Sequence, residues 1–190
     1  YVRTSMDIMS DRAVPNIWLV DVDAGSHRPL LSGPGNYSSP RWSPGGDRLA
    51  YVSGVPGRGA QLHVRWMDTG QTAVVSNVRR TPNAISWSPD GKYLAFVMFV
   101  PDENEPLAKP PAAPEGAAWA PGAKVIETMP YRFDGRGYLE TGHDHVFVVS
   151  AEGGTPRQLT SGDFDHRGPL AWLPDGKRII VLAKGRLVNL

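Results

Sequence analysis

The sequence predicts an all-β chain in which one antiparallel sheet unit is used several times, and three observations predict it. First, a strand–turn–strand pattern occurs three times, over Arg41–Val52, Asn83–Val97 and Ala171–Leu182, each with a tryptophan (Trp42, Trp87, Trp172) closing its first strand. Second, the residues ahead of the first two tryptophans align without a gap. Ile17-Trp18-Leu19-Val20 falls on Leu62-His63-Val64-Arg65 and Asp23-Ala24-Gly25 on Asp68-Thr69-Gly70, both glycines standing 17 residues before their tryptophan. A third copy needs one inserted residue: Val146-Phe147-Val148-Val149 leads to Glu152-Gly153-Gly154, with Gly154 18 residues before Trp172. Third, 21 glycines and 18 prolines among 190 residues suit many turns and few helices.

The turn between the paired strands has a physical recipe. In Pro89-Asp90-Gly91 the proline presets φ, the aspartate can bond the backbone ahead of it, and the glycine takes the φ > 0 position that closes the hairpin. Each unit therefore reads as strand, Asp/Gly turn, short strand, loop, inner strand ending near tryptophan, Pro-x-Gly turn, strand. Four short strands in a period of about 40–45 residues is the pattern of a β-propeller blade. The predicted architecture is a partial β-propeller of about three four-stranded antiparallel blades with one long insertion.

Along the chain, Tyr1–Thr4 reads as the second strand of a blade, Ser5–Asn16 as a polar connection, Ile17–Val22 as a third strand and His27–Leu31 as a fourth. The units run over about 1–31, 39–76, 83–160 and an unfinished 169–190. The third is interrupted by an insertion over 101–144, which opens Pro-Asp-Glu-Asn-Glu-Pro, turns Ala/Pro-rich, and has one short helix expected over Lys124–Met129. A loop of that length in a compact domain is usually functional or disordered. Closed propellers need at least about four blades, so the chain is expected to be part of something larger and not to fold alone.

Antiparallel neighbours send their connections to alternate faces. The Pro-x-Gly and Asp-x-Gly turns share one face. The other carries Ser5–Asn16, Ser32–Ser38, Ser53–Ala60, the insertion, and Ser161–Gly168. Binding is expected on that elaborated face, because loops on a rigid scaffold vary without disturbing its core.

The totals exclude several classes. A net charge of +1 makes no electrostatic case for nucleic acid or an anionic membrane surface, and the absence of cysteine rules out disulfides and thiolate metal sites. The longest apolar run, Leu94–Val100, is too short to span a bilayer. No leader-like segment is visible and the compartment stays open between cytoplasm and periplasm.

Candidate chemistry is sparse. No Gly-x-Ser-x-Gly elbow occurs, and Ser43 and Ser88 of the tryptophan hairpins read as structural, since Leu173 replaces them in the third copy. His143-Asp144-His145 puts two imidazoles on one side of an extended chain. Polar residues entering a strand explain it more simply than a metal site, and no metal or cofactor is expected. Asp163 and Asp165, with His166, lie on the elaborated face and can serve acid–base work or simply a hydrogen-bonded turn. Within the insertion, Asp102, Glu103 and Glu105 can attract a cationic group such as a peptide amino terminus, or merely keep a Pro-rich loop soluble. Arg132 and Arg136 can pair with a carboxylate or carbonyl. The aromatic-rich Tyr131–Tyr138 stretch reads as a packed, specific turn.

The order Lys124-Val125-Ile126-Glu127, Tyr131-Arg132-Phe133-Asp134-Gly135-Arg136-Gly137-Tyr138, His145-Val146-Phe147-Val148-Val149, Glu152–Thr160 and Gly162-Asp163-Phe164-Asp165-His166 resembles the amino-terminal propeller of the prolyl oligopeptidase family of serine peptidases. The similarity is nearest the acylaminoacyl-peptidase and bacterial dipeptidyl-peptidase branches. It implies a carboxy-terminal α/β-hydrolase domain of the same polypeptide as partner, bearing a Ser-Asp-His triad of which nothing is present here. It further implies a propeller that restricts entry to short peptides and lends residues to the substrate pocket. The function expected is the substrate-gating part of a serine peptidase acting on short or amino-terminally blocked peptides, with assembly left open between a monomer and a homo-oligomer. The tryptophan hairpins also occur in TolB-type propellers, so the alternative is a non-enzymatic protein-interaction module.

Overall fold

The computed structural model describes residues 1–33, 35–55, 57–102, 111–120, 125–126, 129 and 131–184. Its strands are β1 (Val2–Asp7), β2 (Arg12–Val20), β3 (His27–Leu31), β4 (Ser38–Trp42), β5 (Arg48–Val55), β6 (Gly59–Trp66), β7 (Thr72–Val74), β8 (Asn83–Trp87), β9 (Tyr93–Pro101), β10 (Arg132–Phe133), β11 (Gly137–Tyr138), β12 (Gly142–Ser150), β13 (Arg157–Gln158), β14 (Asp165–Trp172) and β15 (Ile179–Lys184). They form a first sheet β1-β2-β3, a second β4-β5-β6-β7, a third β8-β9-β12-β13, a fourth of β14-β15, and a separate β10-β11 hairpin. The chain divides into two compact units, Tyr1–Val100 with His143–Leu190, and Pro101–Gly142.

Both faces of β5 and β9 are buried, so these strands read as apolar runs rather than as alternation. Leu49 and Tyr51 of β5 face Ile17, Leu30 and Leu31 of the first sheet. Ala50 and Val52, one residue out of phase, join Leu62, Val64, Ile85, Trp87, Leu94, Phe96 and Phe147 between the second and third sheets. Ala95, Val97 and Val146 turn the other way and pack with Leu170, Trp172 and Ile179 of the fourth. The period of two thus assigns each residue of a run to one of two seams.

The tryptophan hairpins share one hydrogen-bond scheme. Ser43 N–H donates to Arg48 O and Gly46 N–H to Ser43 O; Ser88 N–H to Tyr93 O and Gly91 N–H to Ser88 O; Leu173 N–H to Arg178 O and Gly176 N–H to Leu173 O, all at 2.9 Å. Gly91 sits at φ +68°, the left-handed conformation that the turn reading requires. The hydroxyls of Ser43 and Ser88 accept from the N–H of Arg48 and Tyr93 and donate to Asp47 and Asp90, which is the structural role expected of them.

Each inner strand also carries a bulge two to four residues ahead of its tryptophan, between Ser38 and Arg41, Asn83 and Ser86, and Arg167 and Ala171. Ser39 (φ 54°) and Ala84 (φ 49°) occupy equivalent left-handed positions in two of them. An extra residue there bends the inner strand and raises its twist.

Several expected boundaries shift. Ser5–Asn16 is not a polar connection: β1 and β2 pair from Val2↔Ile17 to Asp7↔Arg12, leaving only a four-residue tip at 8–11. Antiparallel pairing satisfies the backbone here although most side chains are exposed, Met6, Ile8 and Met9 among them. The Ser53–Ala60 loop shrinks likewise, because β5 and β6 pair out to Val55↔Gly59. The last inner strand starts at Asp165 rather than near Pro169, and β12 at Gly142 rather than Val146, so His143-Asp144-His145 is strand. Of the helix expected over Lys124–Met129, Lys124, Glu127 and Thr128 lie outside the described residues, and Val125, Ile126 and Met129 are not helical.

Candidate functional site

The antiparallel order sends the β1–β2, β5–β6 and β9–β12 connections to the face opposite the Pro-x-Gly turns. The insertion is the β9–β12 connection. At its base the Asp102 N–H donates to Thr141 O at 3.0 Å, so the exposed Asp102 begins the insertion with its backbone tied down. Glu103 and Glu105 lie outside the described residues.

Tyr131–Tyr138 forms a small hairpin. Arg132 pairs with Tyr138 and Phe133 with Gly137, Leu139 N–H donates to Tyr131 O at 2.8 Å, and Arg136 N–H closes the turn on Phe133 O at 3.2 Å. The specific turn expected from its aromatics is present, but Tyr131, Phe133 and Tyr138 all stay exposed. The Arg132 guanidinium lies 6.0 Å from the Tyr138 ring centre, at the outer limit of a cation–π contact. Arg136 is exposed at the tip. Asp102, Arg132 and Arg136 thus belong to the insertion unit, whereas Asp163 and Asp165 belong to the sheets.

Asp165 is committed to a joint between β12 and β14. Its carboxylate accepts from the Asp144 N–H at 3.0 Å, lies 3.6 Å from His143 Nδ1 and 3.3 Å from the Arg167 guanidinium, which also binds the Asp144 carboxylate. Asp163, two residues earlier, is exposed in the bend before β14. The two acids therefore do not act as a free pair.

Beside this joint lies a cluster that the sequence reading did not assemble. His145 and His166, each 6% exposed, face each other with ring centres 5.3 Å apart, and Phe164 lies 4.8 Å from His166. His145 Nδ1 lies 3.4 Å from Thr160 Oγ1, while His166 Nδ1 is buried without a hydrogen-bond partner. Burial, then the neighbouring His166 and His143, hold His145 below the usual histidine range, so it is neutral near pH 7. Alternation in His143-Asp144-His145 signals the strand, but the partner ring arrives from 21 residues downstream of His145, which no local pattern reports. Among the described residues no group of three or more His, Asp or Glu is placed to hold a metal.

An open groove of about 660 Å³ runs between the third sheet and β15, with Val146, Val148, Leu159 and Val181 on its apolar walls and Arg157 and Lys177 at its polar margin. No helix among the described residues is long and apolar enough to cross a membrane.

No family model matches the chain. In sequence it is 28% identical over 183 residues to the uncharacterized peptidase YuxL of Bacillus subtilis, covering 96% of this chain and 27% of that protein. It is 35% identical over 82 residues to the Tol-Pal system protein TolB of Alcanivorax borkumensis, covering 40% of this chain and 18% of TolB. In structure it is similar to the acylaminoacyl peptidase of Pyrococcus horikoshii, with a TM-score of 0.64 and 22% identity over 95% of this chain and 25% of that one. The chain thus spans little more than a quarter of the length of the bacterial peptidase it matches along nearly its whole extent. The comparisons bear out the resemblance carried by the insertion and the tryptophan hairpins: the chain is a β-propeller segment similar to the propeller portion of prolyl oligopeptidase-family peptidases.

Proposed function

We propose that these residues are the substrate-gating propeller part of a serine peptidase that hydrolyses short or amino-terminally blocked peptides. The chemistry would reside in an α/β-hydrolase domain of the same polypeptide, where serine attacks, histidine acts as general base and an oxyanion hole stabilises the intermediate. The observation that carries this reading is the similarity to a bacterial peptidase along 96% of the chain. The β9–β12 insertion supports it, because that connection emerges on the elaborated face and carries charges of both signs. In this reading the insertion forms one wall of the substrate chamber. Asp102, with Glu103 and Glu105, meets a cationic peptide terminus, and Arg132 and Arg136 meet a carboxylate or carbonyl. Asp163 is available to substrate as an exposed acid, whereas Asp165 is held by the Asp144 backbone, His143 and Arg167.

The full-length polypeptide tests this against chromogenic acyl-aminoacyl, dipeptidyl and longer peptide substrates, together with a serine-directed fluorophosphonate. Covalent labelling with hydrolysis of short substrates supports the reading, and loss of both overturns it. Deleting Asp102–Pro114 is expected to change peptide-length or end-group preference while the fold survives. Unchanged specificity across the panel would remove the insertion from the chamber wall.

A second reading has one observation in its favour, the 35% identity to TolB over 82 residues. There the propeller is a protein-interaction platform without hydrolase activity. An inert full-length protein that captures a protein partner through the elaborated face would favour it.

A further inference from the structure

The elaborated end of the second sheet holds three arginines that the proposed function leaves unused. Arg58 sits at the tip of the β5–β6 turn, between Gly57 and Gly59, and its N–H closes that turn on Val55 O at 3.0 Å. Both glycines are left-handed, at φ +74° and +73°, and a Cβ on either would meet nothing within 4 Å, so they serve the backbone of a tight tip rather than its packing. Arg79 and Arg80 follow Val78 in the connection from β7 to β8. That connection emerges on the same face, because β7 runs antiparallel to β6 and so ends where β6 begins. All three arginines are exposed.

One buried side chain brings the two segments together. Gln61 Nε2 donates to the carbonyls of Arg58 and Val78, both at 2.9 Å, while Oε1 accepts the Val78 N–H at 3.0 Å. Two carbonyls bound by one nitrogen lie no farther apart than twice that distance, so the tip carrying Arg58 and the backbone leading into Arg79 and Arg80 are neighbours. Gln61 and Val78 are both buried, which fixes the spacing from beneath. The arrangement concentrates charge of one sign. From Arg48 to Pro89 the sequence holds a single acid, Asp68, and it lies in the β6–β7 turn on the opposite face. Elsewhere on the elaborated face the signs are mixed: Asp7, Asp11 and Arg12 at the first sheet, Asp144, Asp165 and Arg167 between the third and fourth.

We propose that Arg58, Arg79 and Arg80 form a carboxylate-binding site that selects acidic peptides. Resting on the reading of this face as a chamber wall, the site adds the class of peptide that the wall favours. A guanidinium is planar, always charged and weakly hydrated, and its fork of N–H donors matches the two oxygens of a carboxylate. Like charges on adjoining segments repel one another, and an anion seated among them relieves that repulsion. Three cations in a chain of net charge +1 do not make the extended basic surface that a nucleic-acid backbone needs, so one small anionic group is the better match. The carboxylate comes either from the carboxy terminus of a peptide or from an Asp or Glu side chain within it.

The test is titration calorimetry of the full-length polypeptide with hydrolysis-resistant, backbone-N-methylated peptides. These are acetyl-Ala-Ala-Gln-Ala amide, its counterpart with Glu for Gln, and its counterpart with a free carboxy terminus. At least one carboxylate peptide should bind about tenfold or more tighter than the neutral one, and which of them does identifies the source of the carboxylate. Added salt should narrow the difference. The triple variant Arg58→Gln, Arg79→Gln, Arg80→Gln should abolish the difference and leave the Kd of the neutral peptide unchanged. Arg79→Gln alone should lose part of the preference, which keeps the test decisive where the triple variant does not fold, and Arg79→Lys should lose less. Arg12→Gln, on the same face of the first sheet, is the control and should change nothing. Absence of any preference in the wild type overturns the proposal, as does a preference that survives the triple variant, or one that Arg132→Gln with Arg136→Gln abolishes instead. Hydrolysis of the unmethylated peptides is read separately. A protein that cleaves them without favouring a carboxylate loses this site and keeps the peptidase reading; an inert protein that binds carboxylate peptides through the three arginines keeps the site and loses the peptidase reading.

Discussion

Gln61 is a buried amide whose removal has a calculable consequence. It is wholly buried in β6, and its amide uses its full hydrogen-bonding capacity. Nε2 donates to Arg58 O and Val78 O, both at 2.9 Å; Oε1 accepts from Ser76 Oγ at 2.9 Å and from Val78 N–H at 3.0 Å. Ser76 Oγ in turn accepts the Leu62 N–H at 2.9 Å. One side chain thus ties the end of the β5–β6 loop and the segment after β7 to the middle of the second sheet.

Gln61→Leu keeps most of the volume and removes all four bonds. The exposed Arg58 can find water for its carbonyl and the Ser76 hydroxyl can rotate, but the N–H and C=O of the buried Val78 lose their partners. At about 1–3 kcal/mol per orphaned buried group, the expected loss is about 2–6 kcal/mol. That is a large share of the roughly 5–15 kcal/mol that stabilises a typical domain. Gln61→Glu is expected to be worse, because a carboxylate cannot donate to the two carbonyls that face it. Urea unfolding with an unchanged m-value reads the effect directly. Gln158→Ala, at an exposed glutamine, serves as control and should stay within about 0.5 kcal/mol. A Gln61→Leu loss below about 1 kcal/mol would refute the claim that this network is buried and complete.

Other expected outcomes follow from the same geometry. Gly91→Ala must place a Cβ at φ +68° and 3.1 Å from the Arg48 guanidinium, and should cost about 1 kcal/mol or more; an unaltered melting temperature would reject the turn assignment. At Ala84, with φ 49°, glycine should be neutral or stabilising by up to about 1 kcal/mol, whereas Ala84→Val should destabilise; the reverse order in thermal unfolding would deny the left-handed bulge. Because burial and the facing His166 and His143 hold His145 below its unfolded value, with Asp144 and Asp165 only partly offsetting them, the unfolded chain binds more protons on acidification. Stability should therefore fall as pH drops through and below about 6.5, and His145→Gln should flatten that slope; a wild-type profile flat between about pH 7 and pH 5 would contradict this.

The repeat was legible because it is local chemistry. Pro89-Asp90-Gly91 specifies a turn within three residues, and Leu49-Ala50-Tyr51-Val52 announces a strand buried on both faces. The Ser5–Asn16 hairpin is not legible for the same reason. A hairpin held by backbone pairing, with exposed side chains and without Pro or Gly at its tip, has no compositional mark. The left-handed Ala84 is equally silent, since its conformation is imposed by the bulge between Asn83 and Ser86 rather than by its own preference.

The candidate site divides along the same line. The sequence alone determined the tryptophan hairpins, their turns, and that the Tyr131–Tyr138 motif is a turn, because each depends on contacts between near neighbours. Only the tertiary structure decided that Asp165 is spent on Arg167 and the Asp144 backbone, that His145 meets His166, that Gln61 is saturated, and that the Trp87 and Trp172 indoles donate to carbonyls of the preceding inner strands. These contacts join residues from 2 to 86 positions apart, and those of Asp144, His145, Trp87 and Trp172 run between sheets. Their partners are set by how sheets pack, a property of the whole array that no single segment encodes.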